Sequence, residues 1–105
     1  KPEGVTPWFF PGGKVEKNET PKQACLREAK EEVGLDIEII KQLPTLKDKD
    51  LHKNDIELIH FLAKAVGDIK PGSTVIEHGW YPIDNLPDGC ATNVIEIIHF
   101  LRKNL

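Results

Sequence analysis

Apolar residues fall at helical spacing between residues 20 and 34. Ala24, Cys25, Ala29 and Val33, joined by Leu26, can form one side of a helix, with charged and polar residues between them. Thr20 is a good N-cap, because its hydroxyl can accept from a free amide of the first turn. Pro21 follows at the first helical position, where no amide donor is needed. Gly34 suits the left-handed conformation that commonly ends a helix. The pattern predicts a helix over Pro21–Val33.

Elsewhere the pattern is shorter-ranged. Val5 to Phe10 is aromatic-rich but broken by Pro7, so a strand there is short. Pro11-Gly12-Gly13 is a turn signal, and Lys14-Val15-Glu16 reads as a brief strand. Leu35 to Ile39 alternates apolar and polar residues, as a half-buried strand does. Pro44 to Asn54 is charged and reads as a surface loop. Asp55 to Val66, rich in Ile, Leu and Phe, reads as a more buried strand. Gly67 to Ser73 reads as a loop and Thr74 to Ile83 as another strand, with Gly79 as its bulge. Thr92 or Asn93 caps a last helix whose apolar side is Val94, Ile95, Ile97, Ile98 and Leu101. This order of short strands, helix, strands and helix predicts an α+β or mixed α/β domain.

A length of 105 residues suits one domain, residues 1–105, with little core to spare. The net charge of −3 lacks the Lys and Arg excess that coats nucleic acid, so no nucleic-acid polymer is expected as partner. A nucleotide stays compatible, because a bound cation can neutralise phosphate locally. No apolar run reaches the roughly 18 residues of a membrane span. Lys1-Pro2-Glu3-Gly4 lacks the apolar core of a signal peptide. Cys25 and Cys90 match no metal or redox spacing and read as free thiols in a reducing cytosol, so a cytoplasmic location is expected.

The chemistry gathers on the first helix. Glu28, Glu31 and Glu32 are spaced to share one face. Like charges so placed repel, and a hard divalent cation relieves them, since Mg²⁺ takes carboxylate and phosphate oxygens. An isolated triplet of this kind is usually a solvated acidic face. Here the flanking residues change the balance.

Gly13 to Leu35 reads GKVEKNETPKQACLREAKEEVGL. The segment resembles the Nudix box, G-x5-E-x7-R-E-U-x-E-E-x-G-U, with U aliphatic. Gly13, Glu19, Arg27, Glu28, Glu31, Glu32 and Gly34 occupy all seven fixed positions. At about 7% usage per residue type, such a match arises by chance on the order of once in a million. Ala29 is a small residue where the first aliphatic one stands, a change of packing volume that touches no chemistry.

The resemblance implies a Nudix-like α/β/α sandwich around a mixed sheet. Trp80-Tyr81-Pro82-Ile83-Asp84-Asn85-Leu86-Pro87 is similar to a segment late in that fold. Relatives carry further strands before the box, whereas residues 1–12 precede it here, so some N-terminal strand residues are expected to be lacking. A homodimer that completes the fold is one assembly this allows.

The implied activity is that of a Mg²⁺- or Mn²⁺-dependent pyrophosphohydrolase, acting on a nucleoside diphosphate linked to another moiety, nucleoside triphosphates included. Glu31 and Glu32 are implied as metal ligands, and Glu28 as a ligand or water-activating base. The Gly12 carbonyl is a further implied ligand, with Gly12 and Gly13 permitting close backbone approach. Arg27 and Glu19 are implied as an orienting pair, a bidentate task that suits Arg. Glu77 offers another ligand or base, against the plain reading of an exposed strand glutamate; Asp55 and Glu57 are weaker candidates.

Trp8 and Phe10 are candidates to stack a nucleobase, although core packing is expected for at least two of Trp8, Phe9 and Phe10, and for Trp80. His52, His60, His78 and His99 have no zinc spacing. Asp48-Lys49-Asp50 hints at a calcium loop, but Lys53 stands where the turn glycine is needed. The competing function is a non-catalytic Nudix-like module that binds a nucleotide or a protein; such modules tend to lose box carboxylates, and this chain keeps them.

Overall fold

The computed structural model describes residues 7–73, 75 and 77–104. The elements run α1 (Pro21–Val33), β1 (Asp36–Gln42), β2 (Leu46–Lys49), β3 (Asp55–Leu58), β4 (Phe61–Val66) and α2 (Thr92–Asn104). They divide between two compact units, one of Pro11–His78 and the other of Lys1–Phe10 with Gly79–Leu105.

In the first unit, α1 begins and ends where local chemistry dictates. The Thr20 hydroxyl accepts from the Gln23 amide at 3.1 Å, and the Gln23 side chain accepts from the Thr20 amide at 2.9 Å. This reciprocal box satisfies two donors that the helix leaves free. Removing such a cap costs about 0.5–2 kcal/mol. Gly34 stops the helix at φ +67°, its amide donating to Lys30 O at 3.0 Å. Ala24, Ala29 and Val33 are buried, and the helix packs on β1. Leu26 is largely exposed, so the apolar side is narrower than its spacing predicts. Val33, Leu35 and Leu43 are the large apolar members of this unit's core, each stabilising it by roughly 1.5–3 kcal/mol through burial.

β1 pairs antiparallel with β4, Asp36 opposite Val66 and Gln42 opposite Phe61. The register slips between Ile39 and Lys41, leaving Ile40 as a bulge residue turned to solvent. β2 and β3 form a separate hairpin from Leu46 opposite Leu58 to Lys49 opposite Asp55. The Asp50 carboxylate holds its turn by accepting from the His52 and Asn54 amides, each at 2.9 Å. Lys53 takes the left-handed conformation there.

In the second unit, α2 buries Val94, Ile97, Ile98 and Leu101. The Arg102 guanidinium donates to the Ile83 carbonyl. Trp8 and Cys90 form a parallel bridge, with Trp8 N–H donating to Gly89 O and Ala91 N–H to Trp8 O, each at 2.9 Å. The Trp8 and Tyr81 rings meet edge to face at 5.4 Å.

The α+β class and both helices hold, while several expected elements are corrected. Asp55 to Val66 is two strands, broken at Ile59-His60, because β3 turns back onto β2 whereas β4 crosses to β1. The expected loop Pro44 to Asn54 contains β2, and Lys14 to Glu16 is exposed and forms no strand. Of Thr74 to Ile83, residues 74 and 76 lie outside the described residues and the others form no strand, so Gly79 is no bulge. Val5 and Thr6 also lie outside them. α2 already includes Thr92 and Asn93, and the Ile95 amide donates to the Ala91 carbonyl at 3.2 Å. Ile95 faces solvent. Among the described residues no single mixed sheet forms; there are two antiparallel pairs and the parallel bridge.

Candidate active site

Arg27 is the hub of the acidic helix face. Its Nε and Nη2 reach Glu19 Oε2 and Oε1 at 2.8 and 3.0 Å, a two-pronged contact. Nη1 donates to Glu28 Oε1 at 2.6 Å and to Glu31 Oε2 at 3.2 Å, and Nη2 also donates to Lys14 O at 3.0 Å. Glu19 further accepts from the Glu16 amide at 2.9 Å. The Arg27 hydrogen bonds, with help from the Glu16 amide, pull the Glu19 carboxyl down to about 2. Glu19 and then Glu28 hold the Arg27 guanidinium still more firmly protonated. Arg27 and Glu19 are therefore in direct contact, and Arg27 also ties the Lys14 backbone to the helix.

The Gly12-Gly13 segment meets the other side of the same face. The Gly12 amide donates to Glu32 Oε1 at 2.6 Å. A Cβ on Gly13 would lie 2.7 Å from the Glu28 carboxylate carbon, whereas one on Gly12 would meet nothing within 4 Å. A side chain at position 13 would therefore displace the Glu28 carboxylate, whereas one at position 12 would displace nothing. Burial raises the Glu32 carboxyl above its usual range; the Gly12 amide opposes this, and the charges of Glu28 and Glu31 add to it.

The expected residues are placed unequally. Glu19, Arg27, Glu28, Glu31, Glu32, Gly12 and Gly13 come together through the contacts above. Gly34 ends the helix. Glu77 is exposed, and among the described residues no hydrogen bond or ion pair ties it to the box carboxylates. Trp8 and Phe10 belong to the other unit, Trp8 half-buried and Phe10 exposed. Phe9 and Trp80 are exposed too, at 60% and 68%, so the expected core packing of these aromatics does not occur. The contributions of the Glu16 amide and the Lys14 carbonyl had no signal in the sequence, because backbone groups carry no residue type.

The donor set fits a hard divalent cation. It is made of carboxylate oxygens, the ligand type that Mg²⁺ takes. The side chains are not gathered around one point. Among the described residues no three His, Cys, Asp or Glu groups stand ready to hold an ion. Glu28 and Glu31 turn to Arg27, and Glu32 turns to Gly12.

Carboxylate oxygens are the ligand type that hard cations prefer. The family model described as NUDIX domain matches residues 1–102, and the chain belongs to the Nudix family. It is 49% identical over 55 residues to an 8-oxo-dGTP diphosphatase of Proteus vulgaris, covering 52% of this chain and 48% of that protein. An RNA pyrophosphohydrolase of Nitratiruptor sp. is 51% identical over 47 residues, 44% of this chain and 30% of that protein. One from Campylobacter jejuni is 28% identical over 93% of this chain and 67% of its own length. The chain therefore spans about half of the Proteus protein and less than a third of the Nitratiruptor one. Among the described residues no helix is long and apolar enough to cross a membrane.

Proposed function

We propose that the chain hydrolyses the phosphoanhydride bond of a nucleoside diphosphate linked to another moiety, nucleoside triphosphates included, with Mg²⁺ or Mn²⁺. The observation that carries this reading is the seating of Glu32 and Glu28 against the Gly12-Gly13 segment, with Arg27 securing the helix to the same loop.

Glu31 and Glu32 would hold the cation, with the Gly12 carbonyl and Glu28 as further candidates. A bound cation supplies neutralisation of the phosphate oxygens as charge builds on them. Glu28 keeps Oε1 on Arg27, and we assign Oε2 as the acceptor for a proton from the attacking water. Arg27 and Glu19 keep helix and loop in register, so that positioning is settled before substrate arrives. The free thiols Cys25 and Cys90 suit a reducing compartment.

The test is a release assay for phosphate and pyrophosphate over a substrate panel, with and without Mg²⁺ or Mn²⁺. The relatives' names put 8-oxo-dGTP and RNA in that panel beside ordinary nucleotides. Cation-dependent turnover of any member supports the reading. Nucleotide binding without turnover on the whole panel would replace it with the non-catalytic binding module.

A further inference from the structure

The last turn of α1 carries Glu31 and Glu32, and it ends in carbonyls that the helix itself cannot use. A segment far along the chain takes two of them. Lys70 N–H donates to Val33 O at 2.7 Å, and Gly72 N–H donates to Glu32 O at 2.8 Å. The approach is close enough that a Cβ on Gly72 would lie 2.5 Å from the Glu31 carbonyl oxygen. That oxygen is helix backbone and cannot swing aside as a side-chain tip can. On the facing side, a Cβ on Gly34 would lie 2.7 Å from Lys70 Cβ and 2.9 Å from Lys70 O. Two glycines thus let residues 70–72 lie flat across the end of the helix. The segment then closes a turn, Val75 N–H to Gly72 O at 3.2 Å, and leads on to Glu77.

We propose that residues 70–72 form a strap that sets the position of Glu31 and Glu32, with Gly72 as its positioning residue. The proposal rests on the hydrolase reading above. Both carboxylates leave the backbone at the turn the strap holds, so a displacement of that turn moves them together. Groups that orient metal ligands without touching the metal typically change affinity by about 10–100-fold. A misplacement of about 1 Å can cost on the order of 10²-fold in rate. Coupling is reciprocal: if the strap favours the cation-binding arrangement, the cation must tighten the strap.

Gly72→Ala tests this beside Gly67→Ala as control. Gly67 sits at φ +96° with nothing within 4 Å, so alanine there strains the backbone without touching α1. Circular dichroism and thermal melts establish folding. Mn²⁺ affinity, read from the free-Mn²⁺ electron paramagnetic resonance signal, should fall by about 10-fold or more in Gly72→Ala and hold in Gly67→Ala. Turnover should fall through kcat with KM nearly unchanged. A folded Gly72→Ala with wild-type Mn²⁺ affinity and kcat overturns the strap and leaves the hydrolase reading standing. A wild-type protein that binds no Mn²⁺ and hydrolyses nothing overturns both. Should Gly72→Ala not fold, hydrogen exchange on the wild-type protein decides. Added Mn²⁺ should protect the Lys70 and Gly72 amides and not those of the β2–β3 hairpin; unchanged exchange at Lys70 and Gly72 overturns the proposal.

Discussion

Arg27 grips both carboxylate oxygens of Glu19, Nε on Oε2 at 2.8 Å and Nη2 on Oε1 at 3.0 Å. The grip joins residues eight apart in sequence and anchors the loop before α1 to the helix. Lysine cannot reproduce it, having no planar fork. Arg27→Lys should keep the charge, lose the two-pronged contact and lower kcat, with circular dichroism little changed. Wild-type kcat in that variant would show that the fork geometry is unimportant.

The same contact makes an acid-stability prediction. The Glu19 carboxyl is pulled from 4.5 to about 2 in the folded protein. Its stabilisation is therefore fully present above the unfolded value and is lost as pH falls from 4.5 toward 2. Glu19→Gln should lower stability at neutral pH and flatten this acid limb. Urea midpoints measured across that pH range check it; an unaltered slope would remove Glu19 from the account.

Glu32 should show stability and activity pulling apart. Its charged form is disfavoured by burial and by Glu28 and Glu31. Glu32→Gln keeps an acceptor for the Gly12 amide and removes the charge. The cation-free variant should be as stable as wild type or more stable by about a few tenths of a kcal/mol, the scale of like-charge relief on a helix. Its kcat should nevertheless drop by about 10²–10⁴-fold, the scale of a general base or strong electrostatic stabiliser. Thermal melts and steady-state kinetics on the same preparation measure both. A near-wild-type kcat would dismiss Glu32 as a ligand.

Gly13→Ala should act through a neighbour. The new Cβ would lie 2.7 Å from the Glu28 carboxylate, the movable end of a side chain. Glu28 can yield, so the melting temperature should change little while kcat falls. Gly12→Ala meets no atom within 4 Å and should also be stable. A strongly destabilised Gly13→Ala would mean that Glu28 cannot move.

His60 predicts a second pH effect, of opposite chemical origin. It is buried at the break between β3 and β4, and burial depresses its proton affinity below the ordinary 6.5 despite opposing backbone contacts at Pro44 and Leu58. The unfolded chain takes up a proton first as pH falls through 6.5, so stability present above that value declines below it. His60→Phe should remove this decline, whatever its effect at neutral pH. The check is the difference in urea midpoint between pH 7.5 and 5.5, in variant and wild type.

Legibility in the sequence followed how local the determinants were. α1 was readable to both ends because Thr20, Pro21 and Gly34 each act within a turn of their own position. The Arg27–Glu19 contact was readable because a resemblance carried it. β2 was not, since three of its four residues, Lys47, Asp48 and Lys49, are charged and exposed, and only pairing with β3 makes them a strand. Trp80 misled because aromatic content stood in for burial, and the side chain faces solvent. The strap had no local signal at all: Gly72 looks like any loop glycine until the helix end is laid against it.

Those charges on β2 have a further consequence. Among the described residues β2 and β3 pair only with each other, so each strand has a free edge of backbone donors and acceptors. Such edges template the addition of another chain, and charged side chains, lysine above all, are a common guard against it. Lys47 and Lys49 stand opposite Glu57 and Asp55 across this ribbon, leaving little apolar surface for a stranger to cover. What hid the strand from a hydropathy reading is also what discourages the hairpin from seeding aggregates.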